Sequence, residues 1–128
     1  MRKICVVITA RPSYSRIKTL LTEINSNKNL ELQLILGASA LIQRYGSVID
    51  IVEKDGFEIS KKIYSSIEGD SPLISPKSTA ILISELSSAF LTLKPDIVVT
   101  IADRYETIAT SIAASYMNIP LAHIQGGE

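Results

Sequence analysis

Apolar residues fall into short unbroken runs, separated by segments in which they recur every three or four positions. Residues 4–9, "ICVVIT", are β-branched and lack polar alternation, as expected of a parallel strand buried on both faces. After the turn-prone "ARPSYS", Ile17, Leu20, Leu21 and Ile24 recur at helical spacing, with Ser13 as the predicted N-cap. "LELQLILGAS" predicts a second strand with partial alternation, and "GSVIDIVEKDGF" a short helix ended by Gly56. "EISKKIY" reads as a weaker strand whose two lysines suit a sheet edge. The Ser/Pro/Gly-rich residues 65–78 predict a mobile loop that closes over a ligand. "TAILISELSSAFLTL" then predicts a long helix with Ile81, Leu82, Leu86, Phe90 and Leu93 facing inward, stopped before Pro95. "PDIVVTIA" predicts a buried strand, "RYETIATSIAASYMN" a helix and "IPLAHI" a last strand.

Strands alternating with helices imply an α/β fold, a Rossmann-like doubly wound parallel sheet with right-handed crossovers. Ligands of such sheets bind outside the carboxyl ends of the strands. Three polar turns, "ARPSYS", "ADRYE" and "HIQGGE", each follow a strand and are expected to gather there.

A length of 128 residues suits one domain, residues 1–128, with its own core. Thirteen basic residues balance thirteen acidic ones and no basic cluster interleaves with aromatics, so the footprint of a nucleic-acid polymer binder is missing. The apolar run before Arg11 is too short for a signal peptide or membrane span, and a cytoplasmic protein is the default expectation. Cys5, the one cysteine, lies inside that run and reads as a buried structural thiol.

Arg11 stands between a buried strand and a helix N-terminus, where backbone amides favour an anion. A guanidinium there suits phosphate or carboxylate, with Ser13 and Ser15 offering hydroxyls; shaping a surface turn is its ordinary alternative role. No GxGxxG or Walker pattern is present. Asp103 and Arg104 end the run "IVVTIA" at the mouth of the sheet, as a candidate base and a phosphate ligand, whereas capping the next helix is the everyday task of such an aspartate. His123 is the only histidine, so no His/Cys metal site assembles within the chain, and hydrogen bonding to the core is its plainer role. Gly126 and Gly127 permit close backbone approach, and Glu128 is a last charge at the rim. Tyr14 and Tyr105 suit either stacking on a base or sugar or the edge of the core.

Taken together, "TARPSYSRIK", "EKDGF", "SPKSTA" and "LKPDIVVTIADRYETIATSIAASYMNIPLAHIQGGE" resemble the hydrolysing UDP-N-acetylglucosamine 2-epimerases of sialic and legionaminic acid biosynthesis. The resemblance covers essentially the whole chain in order. It implies the N-terminal half of a glycosyltransferase-B-like enzyme, whose C-terminal nucleotide-binding domain is absent from this chain, so that the fragment alone is expected to be inactive. It also implies a UDP-sugar as partner, no cofactor and no metal, and elimination of UDP followed by hydration to a free N-acetylmannosamine-type sugar. Asp103 matches a catalytic aspartate, and Arg104, Arg11 and Ser15 match positions that bind the nucleotide sugar, with His123, Gly126 and Gly127 beside them. Many members carry a catalytic glutamate where this chain has Gln125, which exchanges no proton near neutral pH. Either Gln125 orients substrate while Glu128 or a later carboxylate moves the proton, which is the expectation, or the activity is altered. An apolar cleft face predicts a homo-oligomer. Two alternatives stand beside this reading: a non-hydrolysing 2-epimerase, and a catalytically silent sugar-nucleotide-binding half-domain.

Overall fold

The computed structural model describes residues 1–41, 48–65, 74–101 and 105–125. Strands β1 (Arg2–Ile8), β2 (Leu30–Gly37), β3 (Lys61–Ile63), β4 (Ile97–Ile101) and β5 (Leu121–Ile124) form one parallel sheet in the order β3-β2-β1-β4-β5. Between them run α1 (Arg11–Ser26), α2 (Val48–Lys54), α3 (Ile74–Leu93) and α4 (Tyr105–Tyr116). The chain winds outward from β1 to β3, returns, and winds outward again through β4 and β5. The switch point of the sheet therefore lies between β1 and β4.

Alternation along β1 divides the core into two layers. Ile4, Val6 and Ile8 pack with Tyr14, Ile17, Leu21 and Ile24 of α1 and Val48 and Val52 of α2. Cys5 and Val7 turn to the other face, against Leu82, Leu86 and Phe90 of α3 and Ala109 and Ala113 of α4. Both faces of β1 are covered, which is why its run carries no polar alternation. The two lysines of β3 fall on an edge strand, as their charge predicts. β5 forms the opposite edge and is largely exposed along its length. Among the described residues no helix is long and apolar enough to cross a membrane.

Helix ends follow local chemistry. Gly56, at φ 90°, closes α2: its N–H donates to the Glu53 carbonyl at 3.0 Å and the Phe57 N–H to the Val52 carbonyl at 3.2 Å. This is the Schellman arrangement, with Phe57 and Val52 both in the core as its apolar clasp. Asn118, at φ 58°, ends α4 in the same way, the Ile119 N–H reaching the Ala114 carbonyl at 2.9 Å. α3 stops at Leu93, two residues before Pro95.

Three sequence expectations need correction. α1 starts at Arg11, its N-cap is Ala10 without a side-chain bond, and Ser13 is buried inside the first turn. Pro12 makes the early start possible, because a first-turn residue needs no intrahelical N–H partner. α3 begins at Ile74, so residues 74–78 of the predicted loop are helical; Ser65 is buried, and residues 66–73 lie outside the described residues. Ile81 is 38% exposed, because the stripe that meets the sheet runs through Leu82, Leu86, Ala89 and Phe90 and leaves position 81 on its shoulder.

Candidate functional site

Parallel pairing carries the ends of β1, β4 and β5 to one edge of the sheet. β4 pairs with β1 from Ile97 opposite Ile4, and with β5 up to Ile101 opposite Ile124. Arg11 opens α1 there, exposed, with exposed Ser15 one helical turn further on the same side. The first turn holds no acidic residue and no capping side chain. Pro12 carries no N–H and the Ser13 N–H donates to the Ala10 carbonyl at 3.2 Å, so the positive end of the helix and the exposed Arg11 guanidinium are what this turn offers an anion.

Gln125 follows β5 directly, at φ 62°. Arg16 Nη1 donates to its Oε1 at 3.2 Å, joining the end of β5 to α1 across 109 positions of sequence. Thr100 and His123 are partners in the β4–β5 register, and Thr100 Oγ1 lies 2.7 Å from His123 Nδ1. The predicted gathering of the first and last turns is therefore present in atomic contacts. Asp103, Arg104, Gly126, Gly127 and Glu128 lie outside the described residues.

Tyr14 takes the core role and not the stacking one. It is buried beneath α1, and its hydroxyl donates to the Asp55 carboxylate at the end of α2. Lys18, one turn along α1, reaches the same carboxylate oxygen at 3.2 Å. The Tyr14 hydroxyl, then the Lys18 ammonium, hold the Asp55 carboxyl below its ordinary range. Burial, reinforced by Asp55, pushes the Tyr14 hydroxyl up. This cluster ties α1 to the end of α2. Cys5 is also structural: burial pushes its thiol up to about 12.

Sequence reasoning passed over Arg16, Thr100 and Asp55. Thr100 left a signal, as the lone hydroxyl in the buried run "IVVTI". Arg16 left none, since a basic residue on an exposed helix face is ordinary and its partner stands at the other end of the chain. Asp55 left none either, since an acidic residue next to a helix-ending glycine is ordinary.

A sequence-family model described as UDP-N-acetylglucosamine 2-epimerase matches residues 22–128. The chain is 38% identical over 127 residues to a Campylobacter jejuni protein named GDP/UDP-N,N'-diacetylbacillosamine 2-epimerase (hydrolyzing), covering 99% of this chain and 33% of that one. It is 34% identical over 128 residues to the Escherichia coli polysialic acid biosynthesis protein P7, covering 100% and 33%. Among solved structures, the Neisseria meningitidis UDP-GlcNAc 2-epimerase bound to UDP-GlcNAc superposes with a TM-score of 0.81 at 22% identity, covering 98% of this chain and 33% of that one. The chain thus spans about a third of the length of these relatives. Its architecture is the Rossmann-like N-terminal part of that two-domain fold.

Proposed function

We propose an activity from one premise: the chain belongs to the UDP-N-acetylglucosamine 2-epimerase family. It forms the N-terminal domain of a longer cytoplasmic enzyme that hydrolyses a UDP-sugar while inverting C2. The substrate is UDP-N-acetylglucosamine or its 2,4-diacetamido analogue, and the product is a precursor of sialic or legionaminic acid. The observation that carries the reading is the junction of α1 with the end of β5, where Arg11, Ser15 and Gln125 share the edge beside the switch point. The relative named as hydrolyzing supports the hydrolytic form.

In this scheme Asp103 removes the C2 proton as the C1–O bond to UDP breaks, and the electron pair forms the C1–C2 double bond of a glycal. Water then adds its oxygen to C1 while a carboxylic acid, Glu128 or one from the second domain, gives a proton to the opposite face of C2, and the carboxylate so formed takes the proton that water releases. Arg104 and Arg11 stabilise the departing diphosphate, Ser15 holds it by hydrogen bonding, and His123, Gly126 and Gly127 shape the sugar subsite. Gln125 orients substrate. The 128 residues alone bind weakly and do not turn over, because half the cleft is supplied by the second domain. Exposed Leu91, Ile108 and Tyr116 give α3 and α4 an apolar outer surface suited to self-association.

Proton NMR in D2O, with each candidate UDP-sugar and with both this chain and the longer protein that carries it, tests the reading. Release of UDP and a C2-deuterated free sugar by the longer protein alone is expected. Recovery of an intact UDP-sugar epimer overturns the hydrolytic reading in favour of the non-hydrolysing one.

A further inference from the structure

We propose that Arg16 is a positioning residue that locks the Gln125 amide in one of its two orientations, so that Gln125 meets its ligand as a hydrogen-bond donor to an oxygen acceptor. The proposal rests on the reading above, in which Gln125 lines the sugar-nucleotide site.

A guanidinium carries five N–H donors and no acceptor. The amide atom that faces Arg16 Nη1 at 3.2 Å is accordingly the carbonyl Oε1, and the NH2 group is turned away from Arg16. A glutamine without such a neighbour has two nearly equivalent orientations; beside Arg16 one lone pair of Oε1 is taken and the NH2 group, turned away, is left to serve an acceptor. The backbone adds a second constraint. Gln125 sits at φ 62°, a left-handed conformation that L-residues with a Cβ adopt at a cost of about 1 kcal/mol, and it immediately follows the strand in which His123 is held by Thr100. Both ends of the Gln125 side chain are thus fixed, the backbone by the strand end and the amide by α1.

Charge sharpens the choice of ligand. A neutral amide cancels none of the guanidinium's positive charge, so the pair presents a donor NH2 beside a cation. That combination selects an electron-rich oxygen. A diphosphate oxygen and an acetamido carbonyl both qualify, and the two are separable by experiment. A carboxylate at position 125 would give Arg16 a stronger, charge-assisted partner while removing the donor from the site. The geometry therefore sets Gln125 apart from a proton-transfer group and assigns it a binding role.

The test measures Kd for UDP and for UDP-N-acetylglucosamine by calorimetry, on the longer protein that carries this chain, with R16M, R16K, Q125M and the double variant R16M/Q125M. R16M is expected to weaken UDP-sugar binding by about tenfold, the loss of one charge-assisted hydrogen bond. R16K, which retains a donor, should recover most of that loss. The double variant should bind no worse than Q125M alone, because Arg16 acts through Gln125. If R16M weakens UDP equally, the acceptor is a diphosphate oxygen; if UDP is unaffected, it is on the sugar. Losses that multiply in the double variant mean that Arg16 acts on the ligand independently and overturn the proposal, leaving the functional reading intact. Failure of the unsubstituted protein to bind either ligand overturns both.

Discussion

The two helical layers are built on different rules. The layer of α1 and α2 combines large apolar side chains with polar ties: Tyr14 and Lys18 both grip Asp55, and Arg16 reaches Gln125. The layer of α3 and α4 meets the sheet through Leu82, Leu86 and Phe90, and through Ala89, Ala109, Ala113 and Ala114, whose small side chains let the helices approach closely. Its outer positions, Leu91, Ile108 and Tyr116, are left exposed. The first layer holds a helix N-terminus in a defined place, which a ligand site demands. The second packs its apolar face on the sheet, and Gln33 of β2 donates through Nε2 to the Leu93 carbonyl at the end of α3 at 2.8 Å.

Core truncation gives the largest effect and asks whether both layers contribute equally to stability. Leu21→Ala and Leu86→Ala should each cost about 2–5 kcal/mol in urea unfolding, since both side chains are fully buried. A markedly smaller cost for Leu86 would show that the second layer collapses around the cavity. Next comes overpacking. Ala113→Leu should destabilise by about 1–3 kcal/mol, because Ala113 is buried at the close α3–α4 contact. If the protein tolerates that change, the small-residue account of the second layer is wrong.

Gly56→Ala should cost about 1–2 kcal/mol through its φ of 90° alone, because an added Cβ meets no atom within 4 Å. Thermal unfolding would read it. The smallest effect belongs to Tyr14→Phe and is best read against pH. The Asp55 carboxyl is held below its ordinary value of 3.8, so its contribution is fully present above that pH and is lost as pH falls through the lower folded value. The variant should lose a little stability at neutral pH and show a shallower decline on acidification. An acid limb identical to that of the unsubstituted protein would remove Asp55 as a tie between α1 and α2.

Much of this was legible without coordinates. Uninterrupted apolar runs such as 4–9 marked strands covered on both faces, and their alternation with helical periodicity implied a parallel sheet and the edge on which a ligand binds. The start of α1 was misread because Ser13 is a common capping residue, while Pro12 at the first turn carries the competing signal and won. Ile81 was misread because periodicity locates a stripe only to within one position, and whether a shoulder residue is covered depends on the neighbouring helix.

Local chemistry, carried by nearest neighbours, determined the strand and helix order, the Gly56 cap and the place of Arg11 and Ser15 at a strand-to-helix turn. Only the tertiary structure decided that Arg16 meets Gln125 across 109 positions, that Thr100 faces His123 in register, and that Tyr14 turns inward to Asp55. The physical reason is that a hydrogen bond between distant residues leaves no periodic trace in either partner's surroundings. It exists only once strand order and register have set the distance between them.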